Sequence, residues 1–442
     1  MKKTPIVSQF EVFKNSKRIL KNPLPFHREN FEKYGDVFRV KIGVKDELAF
    51  TRSPQLIKHI LQKQHKKYHK SSLQTKDLAK YIGHGILTSN GEHWRTHRRM
   101  VQPAFHKKKL RNLIGTIREA ILLEIKDIPV THPIDVYPIM SNLAFQVVAK
   151  SLFSRDDIQE EMSQLQYITE TNQRMLIKEM RQPYLNWWFQ LSGQIKKHLN
   201  LAKDGQAILH QLIESRRNSA VEKDDLLDML LQARYEDGTA MAKEQLIDEV
   251  LILFTAGHET TANALSFLVF LLAKHPEIQE KAYQEVQNIS LEGDDVLTQL
   301  LELKYVQQCI EEAMRLYPPA YIIDRVAIED DEFEGLNIPK DSLVLMSIYE
   351  LHRNENFWEA PNEFNPERFD ASKKKEYQEH YYPFGAGPRM CVGNNFAMYE
   401  MIIAATELLQ KYEMTTALPE VTINPLISLK PENVLISFTA RN

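Results

Sequence analysis

Apolar residues recur at three- to four-residue spacing through most of the chain, and only short stretches alternate as strands do. The pattern predicts a mainly α-helical protein with small β-sheets, an α+β fold. A short helix is expected around His27 to Lys33. Val37 to Ile42 and Glu47 to Thr51, bracketing Gly43-Val-Lys-Asp46, read as a hairpin. Ser53-Pro54 opens a helix through about Lys63, with proline at its first position, and the polar stretch Lys66 to Gly91 reads as mostly loop. Ser89-Asn-Gly-Glu92 has capping-box spacing and starts a helix containing His93 to Arg99.

From Leu110 to Ser215 the pattern is a series of amphipathic helices punctuated by Pro129, Pro133 and Pro183. The aromatic piece Pro183 to Leu191 is assigned first to core and second to a substrate entrance, with contact to a membrane surface as the remaining alternative. Lys223 to Gln232 reads as a capped helix. Val250 to Ala273 is apolar enough in length for a membrane span, but His258, Glu259, Thr260 and Thr261 at its centre argue for a long buried helix. Gly257 at the polar step invites a local distortion there. Tyr305 to Leu316 is helical, strands fall around Asn337 to Met346, and Thr422 to Leu429 with Val434 to Ala440 are expected to close a small sheet.

Across 442 residues there is no Pro/Gly/Ser linker, sustained charge block or repeat, so one domain spanning residues 1–442 is expected. A formal charge of -3 argues against nucleic acid as a partner. Only Cys309 and Cys391 occur, which excludes a disulfide framework and points to a reducing compartment. Cys309 lies on a helical pattern and reads as core. The first residues lack an apolar anchor, so no transmembrane segment and a cytoplasmic location are expected.

Cys391 stands in the glycine-rich loop Phe384-Gly-Ala-Gly-Pro-Arg-Met-Cys-Val-Gly393, ahead of an apolar helix beginning near Asn395. Gly385, Gly387 and Gly393 permit tight turns and close approach to a flat partner. Arg389 and the helix N-terminus favour the thiolate. A soft metal ligand, a structural cysteine and a redox thiol are all compatible with the cysteine alone. Trp94 and Arg98, four apart, share a helix face able to donate to carboxylates, or form a core indole beside a solvated cation. Glu312 and Arg315 are spaced for an ion pair.

The spacing Phe384-x-x-Gly387-x-Arg389-x-Cys391-x-Gly393 resembles the haem-binding loop of the cytochrome P-450 family, the haem-thiolate monooxygenases. Ala256-Gly257-x-Glu259-Thr260-Thr261 is similar to its oxygen-binding motif, Trp94-x-x-x-Arg98 to its propionate-binding pair, and Glu312-x-x-Arg315 with Pro366-Glu-Arg368-Phe to its structural triad. The resemblance covers roughly residues 85 to 400 and implies the family's fold, with haem between a long central helix and the Cys-loop helix.

It further implies Cys391 as axial ligand of haem b, and Trp94, Arg98, Ala256, Gly257, Arg325, Phe384, Gly387, Arg389 and Gly393 as haem contacts. Glu259 and Thr260 would deliver protons, and Glu312, Arg315 and Arg368 would be structural. Phe254, Tyr321, Ile322 and Ile427, with Ser428, are substrate-pocket candidates, and His352 reads as structural. Oxygen insertion into a small organic substrate, by hydroxylation or O-dealkylation, would use O2 and NAD(P)H-derived electrons. No flavin or iron–sulfur pattern occurs, so a soluble bacterial type without fused reductase is expected, monomeric, and served by ferredoxin and its reductase or, second, by flavodoxin. The basic run Arg95, Arg99, Lys107 to Lys109 and Arg111 is either a solvated face or that donor's dock. An H2O2-using peroxygenase and a haem-based sensor or carrier are the alternatives.

Overall fold

The structure is a computed structural model and describes residues 4–41, 47–154, 158–219, 222–293 and 296–441. Seven helices position the site: α1 (Gly91–Val101), α2 (Val136–Phe153), α3 (Gln159–Arg181), α4 (Gln194–Arg217), α5 (Lys243–Lys274), α6 (Lys304–Leu316) and α7 (Asn394–Lys411). Helix α5 runs through the centre, packing most extensively on α2 and also against α4, α6 and α7. Both α5 and α2 are apolar on nearly every face, the composition of helices surrounded by protein. The ring pairs Phe145–Phe254 and Phe153–Phe254 lock them together, with centroids 5.5 and 5.9 Å apart. No described helix is long and apolar enough to cross a membrane.

Six strands form one sheet: β1 (Ile6–Val7), β2 (Val37–Lys41), β3 (Glu47–Thr51), β4 (Tyr68–His69), β5 (Ile322–Ala327) and β6 (Leu343–Ser347), in the spatial order β1-β2-β3-β6-β5-β4. The expected hairpin is β2 against β3, with Val37 opposite Thr51; its turn, Gly43 to Asp46, lies outside the described residues. The stretch Asn337 to Met346 divides: Leu336–Ile338 pairs with Asp331–Phe333, while β6 lies between β3 and β5. The C-terminal strands do not share one sheet as expected. Thr422–Pro425 turns back on Leu429–Glu432, whereas Leu435–Ala440 pairs with Tyr412–Thr415 and with Ile134–Asp135.

Four local expectations are corrected. The helix from Pro54, capped by Ser53, changes to a π-helical turn at His59–Lys63, but the following stretch is not mostly loop: Leu73–Leu78 is π-helical and continues as helix Ala79–Ile82. Ser71 and Gln74 anchor it by donating to the Asp324 carboxylate on β5, a partner distant in sequence.

The capping box is absent, because its residues have other partners. Ser89 Oγ donates to the Gly85 carbonyl (2.6 Å), Glu92 pairs with Arg95 (2.9 Å), and Asn90 exchanges hydrogen bonds with the Lys70 backbone. The aromatic piece is not core either: Trp187 is 63% and Trp188 47% exposed, and of the three aromatic residues 187–189 only Phe189 is buried. Helix α5 runs unbroken through Gly257, and the Thr260 hydroxyl donates within it to the Ala256 carbonyl (2.8 Å).

Candidate active site

The Cys391 loop folds around its own backbone. The Cys391 N–H donates to the Phe384 carbonyl (3.0 Å) and the Met390 N–H to Gly387 (3.0 Å), leaving the thiol just ahead of α7. Glycine is needed at 387: φ is +71°, and a Cβ would lie 1.9 Å from the Leu61 carbonyl oxygen of the π-helical turn. Gly385 shares the left-handed conformation, at φ +72°. Gly393 is corrected on this point, since it caps α7 at φ -88° and a Cβ would meet Phe105 at an ordinary 3.8 Å. Its N–H instead serves the Cys391 sulfur.

The thiolate is less favoured than the sequence implied. Cys391 is reachable by solvent, yet its thiol is ringed by protein. Burial raises it above the ordinary range, and the Gly393 N–H and the Arg98 charge recover only part of that. A cation on sulfur would reverse the balance, because metal ligation and thiol deprotonation are coupled. Cys309 is buried, and burial holds it strongly in the thiol form, as expected of core.

Beside the loop lies a cluster of cations. Arg98 Nη1 donates to the Met390 carbonyl (2.8 Å). Arg389 donates to the Ser89 carbonyl (3.0 Å) and the Asn90 side-chain oxygen (3.1 Å), and its guanidinium lies 4.1 Å above the Trp94 ring. Arg325, buried on β5, donates to the Asp324 carbonyl (2.7 Å), and Lys70 Nζ to that of Leu87 (2.5 Å). Every one of these acceptors is uncharged.

Among the described residues none of Lys70, Arg98, Arg325 and Arg389 has a carboxylate within ion-pair distance; the nearby Asp324 carboxylate accepts from Ser71 and Gln74 instead. Burial lowers all four, Arg389 to about 10, and for Lys70 and Arg389 the charge of Arg325 lowers them further. Buried cations packed together without counter-charge are costly, and two added carboxylates would relieve them. Such a site fits haem, a flat group with two propionates, with Cys391 as the soft ligand. No described cluster of three or more His, Cys, Asp or Glu side chains is disposed to hold a metal by itself.

Lys70 and Asn90 were missed by sequence reasoning. Lys70 lies in the polar stretch read as loop, where one lysine looks like any other. Asn90 reads as the interior of a capping motif. Only the pairing of β4 with β5 brings Lys70 beside Arg325.

On α5, Ala256, Gly257 and Thr260 keep partial exposure while His258, Glu259 and Thr261 are buried. A Cβ on Gly257 would sit 3.2 Å from Val148, so this glycine serves the packing on α2. Glu259 accepts from Gln173 on α3 and from Ser428, whose hydroxyl also accepts from Asn263 (2.9 Å). Burial raises Glu259 toward its protonated form, opposed by those two bonds. Among the described residues Glu259 and Thr260 do not bond each other.

The pocket candidates separate. Phe254 is corrected to core, since it faces Phe145 and Phe153 of α2. Tyr321 is buried and its hydroxyl donates to the Leu426 carbonyl (2.9 Å), tying β5 to the turn that carries Ser428. Ile322 is half-buried, and Ile427 is 36% exposed at that turn.

Glu312 and Arg315 form a double hydrogen bond (2.7 and 2.8 Å), both side chains fully buried, and Arg368 Nε reaches Glu312 at 3.3 Å. His352 accepts the Tyr382 N–H (3.0 Å) and is buried beside Trp358, in a structural position.

A lone cysteine in a glycine loop before a helix, a long central helix with a polar step, and a cationic rim together define a haem-protein scaffold. The family model described as Cytochrome P450 matches residues 5–438, and the chain belongs to that family. Members are monooxygenase oxidoreductases that use haem b and O2 with NAD(P)H-derived electrons. The chain is 29% identical to Cytochrome P450 4d2 of Drosophila melanogaster over 443 aligned positions, covering 93% of this chain and 87% of the relative. It is 31% identical to Cytochrome P450 4A2 of Rattus norvegicus, covering 79% and 73%. The crystal structure of cytochrome P450DA heme domain superposes with a TM-score of 0.84 at 22% identity, over 95% of this chain and 93% of that one, which establishes the fold. The relatives named are animal proteins and lend no support to a bacterial type.

Proposed function

We propose that Cys391 is the axial ligand of haem b, that Lys70, Trp94, Arg98, Arg325 and Arg389 receive its carboxylates, and that the chain hydroxylates or O-dealkylates a small organic substrate. The observation that carries this is the group of cations without carboxylate partners beside a single thiol. Bound through a thiolate, haem supplies O2 activation, the thiolate's electron donation favouring O–O cleavage.

The chain's own residues position and protonate. Arg98 and the Gly393 N–H support the sulfur anion, while Gly387 lets the loop lie against Leu61. Glu259, which burial shifts toward its protonated form against the bonds it accepts from Gln173 and Ser428, and Thr260, partly exposed on the same helix, are the acid and the alcohol of the proton relay. The same pair favours O2 chemistry over a peroxygenase, which needs no relay, and over a sensor or carrier.

Electrons arrive from a separate ferredoxin, with flavodoxin as second choice. Supporting this, Lys107, Lys108 and Lys109 are exposed shortly after α1. Arg95 and Arg99 contribute less, since Glu92 and Glu236 already pair with them. A monomeric single domain of soluble type fits these residues. The test is the reduced carbonyl complex: the wild type should show the long-wavelength Soret band, and Cys391→His should bind haem without it. Retention of the band in that variant would sink the ligand assignment.

A further inference from the structure

Ahead of its polar step, α5 carries three side chains that the proposed reaction does not use. Gln245, Asp248 and Glu249 share one face and reach the backbone of the loop before α1. Gln245 Nε2 donates to the His84 carbonyl (2.8 Å) and to Glu249 Oε1 (3.1 Å). The His84 N–H donates to Asp248 Oδ2 (2.8 Å) and the Ile86 N–H to Glu249 Oε2 (3.1 Å).

The approach leaves no room for a side chain on the loop. A Cβ on Gly83, at φ +81°, would lie 2.1 Å from Asp248 Cγ, and one on Gly85 would lie 2.6 Å from Glu249 Oε2. Glu249 is 0% exposed. His97 of α1, buried as well, places Nδ1 3.5 Å from Glu249 Oε1 and has no other partner there.

The far end of this segment is the cationic rim. Ser89 and Asn90 hold Arg389, Asn90 also holds Lys70, and α1 carries Trp94 and Arg98. We propose that Gln245, Asp248 and Glu249 are a latch that sets the Gly83–Asn90 loop and α1, making Glu249 a positioning residue for the haem carboxylate site. This rests on the haem reading above.

The groups facing Glu249 are few. From α1 come His97 and, stacked on it at 4.4 Å, His93; from the turn after residue 232, Tyr235, edge-on to His97 at 5.9 Å. The loop contributes His84. Helix α4 supplies Gln206, bonded to Asp248, and His210, in a cleft of about 460 Å³ also lined by Glu244 and Asp248. Among the described residues no lysine or arginine lies within ion-pair distance of Glu249.

Burial moves Glu249 to about 7 and His97 to about 4. A latched Glu249 therefore binds its proton more tightly than a released, solvated one. The latch weakens as pH rises from the ordinary carboxyl range, near 4.5, to about 7, and levels off above.

The test uses the haem-loaded full chain and follows haem transfer to an apo-globin scavenger between pH 5 and 8.5. Glu249→Leu should release haem at least tenfold faster than wild type at pH 6. Glu249→Gln, which keeps the acceptor for Ile86, should stay within about threefold at pH 5.5, and the ratio of wild-type to variant rate should climb toward pH 7.5. Gly85→Ala, whose Cβ would displace the Glu249 carboxylate while keeping every titrating group, should release faster than wild type with a flatter pH profile, and serves if the leucine variant fails to fold. If wild type takes up no haem, the haem reading itself falls. If it does, and the variants release at wild-type rates or the glutamine ratio is flat with pH, the latch alone is overturned.

Discussion

Replacing Glu312 with alanine tests whether the fully buried ion pair behind the Cys391 loop is structural. Glu312 accepts from Arg315 Nε and Nη2, from the Asn365 N–H (3.0 Å) and from Arg368 Nε (3.3 Å). Its removal leaves the Arg315 guanidinium buried without counter-charge, a change that costs about 3–5 kcal/mol. Arg315 retains the carbonyls of His352 (2.7 Å), Pro361 (2.8 Å) and Glu363 (3.1 Å) and lies 5.0 Å above the Trp358 ring, so the lower part of that range applies. For 442 residues the unfolding entropy is about 0.9 kcal/mol/K, so a loss of about 3 kcal/mol lowers Tm by about 3 °C.

Calorimetry and far-UV dichroism of the haem-loaded variant against wild type, at 0.1 M and 1 M salt, measure it. A buried pair is hardly screened, so the deficit should persist at high salt. The folded fraction should keep the thiolate carbonyl band, because Glu312 touches neither Cys391 nor the cationic rim. A Tm change below about 1 °C, or a deficit that 1 M salt erases, would refute the buried-charge argument.

Two further outcomes are expected. Thr260→Ala removes the partly exposed hydroxyl next to Glu259 and should raise peroxide released per NAD(P)H consumed; unchanged coupling with substrate would count against the relay. Changing Lys107, Lys108 and Lys109 together to glutamine should raise the donor KM several-fold at low salt and little at high salt; a donor KM that does not move removes the docking surface.

The motifs were legible because each depends on spacing along one element or loop. Cys391 with Gly387, Trp94 with Arg98, and Glu312 with Arg315 are close in sequence, and the last pair forms the ion pair that its spacing suggests. Where sequence reasoning failed, a distant partner had intervened. Phe254 reads as a pocket residue on an apolar helix, yet the side of α5 it occupies is decided by α2. The Ser89–Glu92 capping pattern is sound locally but loses to Gly85, Lys70, Arg95 and Arg389, which use the same polar atoms. Trp187 and Trp188 look like core by residue type, and only the seating of Phe189 shows that the other two face out.

Sequence by itself determined the helical class, the family and the cysteine in its glycine loop, since these reside in residue identity and local period. Tertiary structure decided that Lys70 and Arg325 meet Arg98 and Arg389 at one rim, and that Glu259 is held by Gln173 and Ser428. It also decided that Glu249 lies buried against the glycine loop. Those properties come from burial and from contacts between residues far apart in the chain, where the removal of water, rather than the residue type, sets what a charge or a proton does.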